Sequence, residues 1–127
     1  MEQLNFSGCT ILVAEDEETN FEYIWSVFKA TGLTMLRART GIEAVELCKE
    51  HPEIRLIIMD GMMPVLNGYN ATREIRNFRT NLPIILLTAY VSQSSIRDAV
   101  TSGCNDYLAK PIGHEELLTM LKKWLIV

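Results

Sequence analysis

No Cys-x-x-Cys pair occurs in the chain, and its three cysteines, Cys9, Cys48 and Cys104, are odd in number and far apart. That pattern argues against a disulfide framework or a zinc site and leaves buried, reduced thiols as the expectation. Long apolar runs are lacking as well. None approaches the ~18 residues that cross a bilayer, so no membrane insertion is expected. The first residues, Met1-Glu2-Gln3-Leu4-Asn5, have no basic patch leading into an apolar stretch and do not read as a secretory signal, which makes the cytoplasm the expected location. Basic charge is in deficit: 12 Lys and Arg stand against 16 Asp and Glu, for a net charge of -4. With no basic stripe, direct nucleic acid binding is not expected. Repeats, linkers and low-complexity stretches are also missing, and 127 residues suit one domain of the common size, roughly 100 to 150 residues, so 1–127 is read as a single domain.

What is present is an alternation. Five short apolar runs, at 10–14, 33–38, 54–59, 83–87 and 105–109, are interleaved with five segments of helical spacing. This predicts an α/β fold, a parallel sheet covered on both faces. The spacing predicts a first helix over 18–31 that turns Phe21, Ile24, Trp25 and Phe28 to the sheet and stops at Gly32. Thr40-Gly41-Ile42-Glu43 has the spacing of a capping box and opens a second helix that stops before His51-Pro52. Further helices are predicted over 67–79 and 92–101, and from His114 to the end.

Polar residues sit where the apolar runs finish. Glu15 and Asp16 follow the first, Asp60 the third, Thr88 the fourth and Lys110 the fifth. In an open parallel sheet the ligand crevice lies at the carboxyl ends of the strands, so these five groups can converge. Three carboxylates in one pocket raise one another's pKa unless a cation intervenes, and Mg²⁺ is the usual hard cation where phosphates are handled. Glu17 and Glu18 read instead as solvated acids near the positive end of the next helix. Asp60, after a buried strand and before a proline-bearing loop, is the candidate nucleophile that attacks phosphorus to give an aspartyl phosphate. Thr88 and Lys110 supply the hydroxyl and the ammonium that a phosphoryl group with about two negative charges needs. The Lys110-Pro111 bond is a candidate cis bond that would aim the lysine inward. Met62 and Tyr90, two residues beyond Asp60 and Thr88, are placed to control water's access to the acyl phosphate and so to set its lifetime.

Four segments, Ile11-Leu12-Val13-Ala14-Glu15-Asp16, Met59-Asp60-Gly61-Met62-Met63-Pro64, Leu86-Leu87-Thr88-Ala89 and Tyr107-Leu108-Ala109-Lys110-Pro111, resemble the motifs of response-regulator receiver domains in order and spacing. The resemblance covers essentially the whole chain. It implies a flavodoxin-like, doubly wound five-stranded parallel sheet, (βα)5, with strand order 2-1-3-4-5. It implies a phosphorelay function: Asp60 accepts phosphate from a phosphohistidine on a sensor histidine kinase or a histidine phosphotransfer protein, with Mg²⁺ as cofactor. Asp16 would ligate the metal directly and Glu15 mainly through water, with Asp60 and the Met62 carbonyl as further ligands. Thr88, Lys110 and the backbone of Gly61 and Ala89 would hold the phosphoryl oxygens. Thr88 and Tyr107 would form the switch, which acts on the face of the fourth helix, fifth strand and fifth helix, including Ile96. Such a domain takes part only in its own phosphorylation and dephosphorylation, turns over no independent metabolite, and allows a phosphorylation-linked dimer. The Glu15-Asp16 form of the acidic pair resembles receivers attached to hybrid sensor kinases.

Three other readings fit less well. An FMN-binding carrier of similar architecture needs a Ser, Thr and Gly-rich loop after the first strand, where this chain has acids. A phosphatase with an aspartyl nucleophile typically carries a second Asp two residues on, where Met62 stands. A receiver-like interaction module without phosphorylation would not need all five active groups. Neither His51 nor His114 is placed for a histidine phosphotransfer role.

Overall fold

The computed structural model describes residues 4–89 and 93–125. Its elements are β1 (Thr10–Ala14), α1 (Glu18–Phe28), β2 (Thr34–Ala38), α2 (Gly41–Glu50), β3 (Ile54–Asp60), α3 (Gly68–Arg76), β4 (Ile84–Thr88), α4 (Gln93–Ser102), β5 (Asp106–Ala109) and α5 (His114–Leu125). The strands form one parallel sheet in the order β2-β1-β3-β4-β5.

Side chains alternate across a strand, and the continuous apolar runs therefore feed two cores at once. Ile11, Val13, Leu56, Ile58, Ile85 and Leu87 pack with Ile24 and Phe28 of α1 and Leu117 and Leu121 of α5. The intervening residues Leu12, Ile57, Met59, Ile84 and Leu86 pack with Val45 of α2, Ala71 and Ile75 of α3 and Ala99 of α4. β1, β3 and β4 are central and almost wholly buried, whereas the edge strands β2 and β5 are only half-buried. Among the described residues no helix is long and apolar enough to cross a membrane.

Local details follow the sequence with a few corrections. The expected first helix ends its α-helical part at Phe28 and finishes as a short 3-10 turn, Lys29–Thr31, before Gly32 at φ 82°. Trp25 does not face the sheet. It is 39% exposed, while Ile24, Val27 and Phe28 are buried. At about 100° per residue Trp25 and Val27 lie on opposite shoulders of a stripe centred on Ile24 and Phe28, and it is the Val27 shoulder that is buried. Thr40 caps α2, its hydroxyl accepting from the Glu43 amide at 3.1 Å, and the Asn67 side chain caps α3 by accepting from the Asn70 amide at 2.9 Å. The Asn67 cap closes the loop that leads out of Asp60. A Cβ at Gly68 would overlap the Asp60 carbonyl oxygen, and one at Gly41 would overlap that of Leu66. The two glycines let α2 and α3 close directly onto the backbone of residues 60–66.

Candidate functional site

The strand register lays the polar residues side by side along the carboxyl edge. Ala14 pairs with Met59, so Glu15 comes level with Asp60; Asp60 pairs with Leu87 and Thr88 with Ala109, so Thr88 and Lys110 complete the row. One oxygen from each of Glu15, Asp16 and Asp60 lies within 4.8 Å of the others. The Lys110 ammonium stands 3.2 Å from Asp60 Oδ2 and 3.7 Å from Glu15 Oε1. Asp60 Oδ1 accepts from the Met62 amide at 3.1 Å. The Lys110–Pro111 bond is cis, and the Lys110 amide donates to the Thr88 carbonyl at 2.7 Å.

Burial makes this cluster chemically demanding. Glu15 is fully buried, Asp60 and Thr88 nearly so, while Asp16 opens to solvent. Neither Glu15 carboxylate oxygen nor the Thr88 hydroxyl has a hydrogen-bond partner among the described residues. Polar groups left unpaired in an interior are costly, and such orphans mark where a ligand belongs. Burial, with Asp60 adding to it, pushes the Glu15 carboxyl up to about 8; Asn20 and Lys110 pull the other way from positions short of hydrogen-bonding geometry. The pocket therefore holds more negative charge than the lysine alone balances.

One backbone assignment changes. The Gly61 amide was expected to face the phosphoryl group, but it donates to the Leu87 carbonyl at 2.9 Å, which extends the β3–β4 ladder by one bond. The amide aimed at the Asp60 carboxylate is that of Met62. Met62 as a residue is 66% exposed. Ala89 is exposed at the strand end and lines, with Asn20, Tyr23 and Lys110, a cleft of about 450 Å³ next to Glu15. Tyr107 is half-buried on β5, packed against the core cluster under α4, and Ile96 is half-buried on α4. Tyr90 lies outside the described residues. His51 pairs with Glu53 at 3.0 Å, and His114 is exposed at the start of α5; neither belongs to the cluster.

The family model of the response regulator receiver domain matches residues 11–122. The chain belongs to that family. It is a receiver domain of two-component phosphorelay signalling, and as such a phosphoacceptor. Among curated relatives, the sensor histidine kinase CheAY of Helicobacter pylori is 33% identical over 92% of this chain, which spans 15% of that kinase. The polar-differentiation response regulator DivK of Brucella ovis is 29% identical over 91% of this chain and 95% of its own length. Among solved structures, the receiver domain of sensor histidine kinase PA1611 from Pseudomonas aeruginosa, with a magnesium ion coordinated in its active site cleft, is 38% identical at a TM-score of 0.85, covering 94% of this receiver and 98% of that chain. The co-crystal structure of the Saccharomyces cerevisiae histidine phosphotransfer protein Ypd1 with the receiver domain of Ssk1 matches at 34% identity and a TM-score of 0.86, over 94% of this receiver and 90% of that chain. The flavodoxin-like fold and the strand order 2-1-3-4-5 are those expected from the motifs.

Proposed function

We propose that this receiver takes its phosphoryl group on Asp60, from a phosphohistidine of a sensor histidine kinase or a histidine phosphotransfer protein. The observation that carries this is the buried Asp60 carboxylate, held between the Met62 amide and the Lys110 ammonium and beside two further carboxylates. In the transfer a carboxylate oxygen attacks phosphorus, the new P–O bond forms as the P–N bond to histidine breaks, and the imidazole leaves with the electron pair. Lys110 and the unpartnered Thr88 hydroxyl are placed to bind the phosphoryl oxygens, joined by the Met62 and Ala89 amides. Asp16, Asp60 and the Met62 carbonyl, with Glu15 through water, would hold Mg²⁺, which supplies charge neutralisation around the phosphoryl group when bound. The orphaned Glu15 oxygens and the all-oxygen donor set fit such an ion. Residues 1–127 are read as one such domain, acting in the cytoplasm and catalysing no reaction on an independent metabolite.

The direct test is transfer from a labelled histidine phosphotransfer protein in the presence of Mg²⁺. Label should move to this receiver and stay away when the metal is chelated. Label that remains on the histidine under every partner and metal condition argues for an interaction module instead.

The switch reading places Thr88 and Tyr107 in one movement. Thr88 drawn toward the phosphoryl oxygens vacates space beside β5, into which the half-buried Tyr107 ring turns, altering the face of α4, β5 and α5 that includes Ile96. A phosphorylation-linked dimer through this face is compatible with that change. With beryllofluoride and Mg²⁺, amide signals of Ile96 and Tyr107 should shift along with those of the pocket. Signals that stay fixed there while Asp60 and Thr88 respond place the output elsewhere.

Lifetime control falls to Met62, together with Tyr90. Met62 is exposed and its amide sits on Asp60 Oδ1, so in this reading its side chain obstructs a water approaching the acyl phosphate in line. Met62→Ser should shorten the phosphate lifetime several-fold, read as decay after the donor is removed; equal decay in the variant removes Met62 from this role.

A further inference from the structure

Arg37 lies on β2, outside the reactive row, yet it makes the most elaborate contacts of any side chain around the acidic loop. The β1–β2 ladder ends with the Glu15 amide donating to the Ala38 carbonyl at 2.9 Å. Beyond that bond β2 turns away into α2, and the ladder offers the Glu15 carbonyl no further strand amide. Arg37 fills the gap. Its Nε and Nη2 fork onto the Glu15 carbonyl oxygen at 3.2 and 3.1 Å, and its Nη1 donates to Glu18 Oε1 at 2.6 Å. The guanidinium also lies 4.2 Å from the Phe21 ring centroid, and the side chain is only 13% exposed. Arg39 reaches the same Glu18 oxygen at 3.0 Å but is half exposed and does not touch the Glu15 carbonyl.

The Glu15 carbonyl belongs to the peptide plane that joins Glu15 to Asp16. Holding that plane fixes how the two residues diverge, one carboxylate inward and buried, the other outward, with both within reach of Asp60. Glu18 and Phe21 lie in the first turn of α1, so one planar group ties the strand end to the helix start on either side of the acidic turn. A lysine could supply the charge there, though neither the fork nor the stacking.

We propose that Arg37 is a positioning residue for the metal pocket, clamping the Glu15–Asp16 peptide so that both carboxylates meet Asp60. This rests on the reading of Glu15, Asp16 and Asp60 as the Mg²⁺ site. The alternative is that Arg37 acts only as a nearby cation offsetting the acidic run, and the two roles predict opposite signs. Removing a bystander cation makes the pocket more negative and tightens Mg²⁺. Removing a clamp lets the ligands drift and weakens it, by about 10-fold or more, the scale on which outer-shell partners of metal ligands act.

The experiment is an Mg²⁺ titration followed by calorimetry or amide shifts, without phosphodonor, on wild type, Arg37→Ala and Arg37→Lys, with thermal unfolding run in parallel. Weaker Mg²⁺ binding in both variants is expected, with phosphoryl uptake recovering at high Mg²⁺. Because the lysine variant keeps the charge and most of the volume, it preserves the comparison if the alanine variant does not fold. Unchanged or tighter Mg²⁺ binding in the folded variants overturns the clamp and leaves the metal site standing. A wild-type protein that binds no Mg²⁺ overturns the metal reading and the clamp with it.

Discussion

Asp60→Asn should take up no phosphoryl group from any donor while keeping its fold. The amide retains the size of the carboxylate and an oxygen to accept from the Met62 amide, but its nitrogen is no nucleophile and its oxygen carries no charge to attack phosphorus. Among the described residues no other side chain is placed to substitute. Asp16 is exposed, Glu15 is fully buried with a carboxyl raised to about 8, and Thr88 has no base at hydrogen-bonding distance among the described residues. The loss should therefore be complete rather than partial, measured as labelled phosphoryl incorporated under conditions that saturate wild type. Residual incorporation in a folded Asp60→Asn sample would show that a different group accepts the phosphate. The variant also removes a neighbouring acid from Glu15, so thermal unfolding should show little or no destabilisation.

The second large effect concerns Glu15 and pH. Its carboxyl is raised from an ordinary 4.5 to about 8, first by burial and then by Asp60. Between those values the folded, metal-free protein keeps a proton that the unfolded chain has released. Stability associated with the neutral carboxyl is thus fully present below about 4.5 and is lost as pH rises through 8. At about 1.4 kcal/mol per pKa unit the loss is on the order of a few kcal/mol, large against the marginal stability of a domain. Metal-free unfolding curves should accordingly fall in midpoint from pH 5 to pH 8, and Mg²⁺ should abolish most of the fall by pairing the ionised acid. Mg²⁺ affinity should rise over the same range, with release of a proton. In Glu15→Gln the metal-free slope should flatten and the protein should gain stability at pH 8, while Mg²⁺ binds more weakly. A metal-free wild type whose stability is flat over this range would mean that Glu15 is ionised and paired by something other than a metal.

Much of this site is legible in the sequence because the parallel sheet turns sequence position into spatial position. Each apolar run is a strand, each residue after it lands on one edge, and Glu15, Asp60, Thr88 and Lys110 meet there however far apart they are in the chain. What was not legible depends on register and reach. Whether Gly61 or Met62 has the available amide depends on Asp60 pairing with Leu87, a one-residue matter that hydrophobic pattern does not encode. Glu15 and Asp16 look equivalent as letters, yet the backbone turns one into the interior and the other to solvent. Trp25 shows the same limit in a helix, since an aromatic at the shoulder of an amphipathic stripe reads as core by type and emerges half outside by angle. Arg37 gave no signal at all. A long side chain on an edge strand can reach any of several neighbours, and only the early end of the β1–β2 ladder shows that a carbonyl there needed it.

The central claim is tested most directly by the intact mass of the wild-type chain before and after incubation with a small phosphodonor such as acetyl phosphate, with and without Mg²⁺. The account predicts one added phosphoryl group per chain, formed only with the metal and absent from Asp60→Asn. A folded sample that gains no mass with Mg²⁺ bound, and that also fails to bind beryllofluoride, would contradict it.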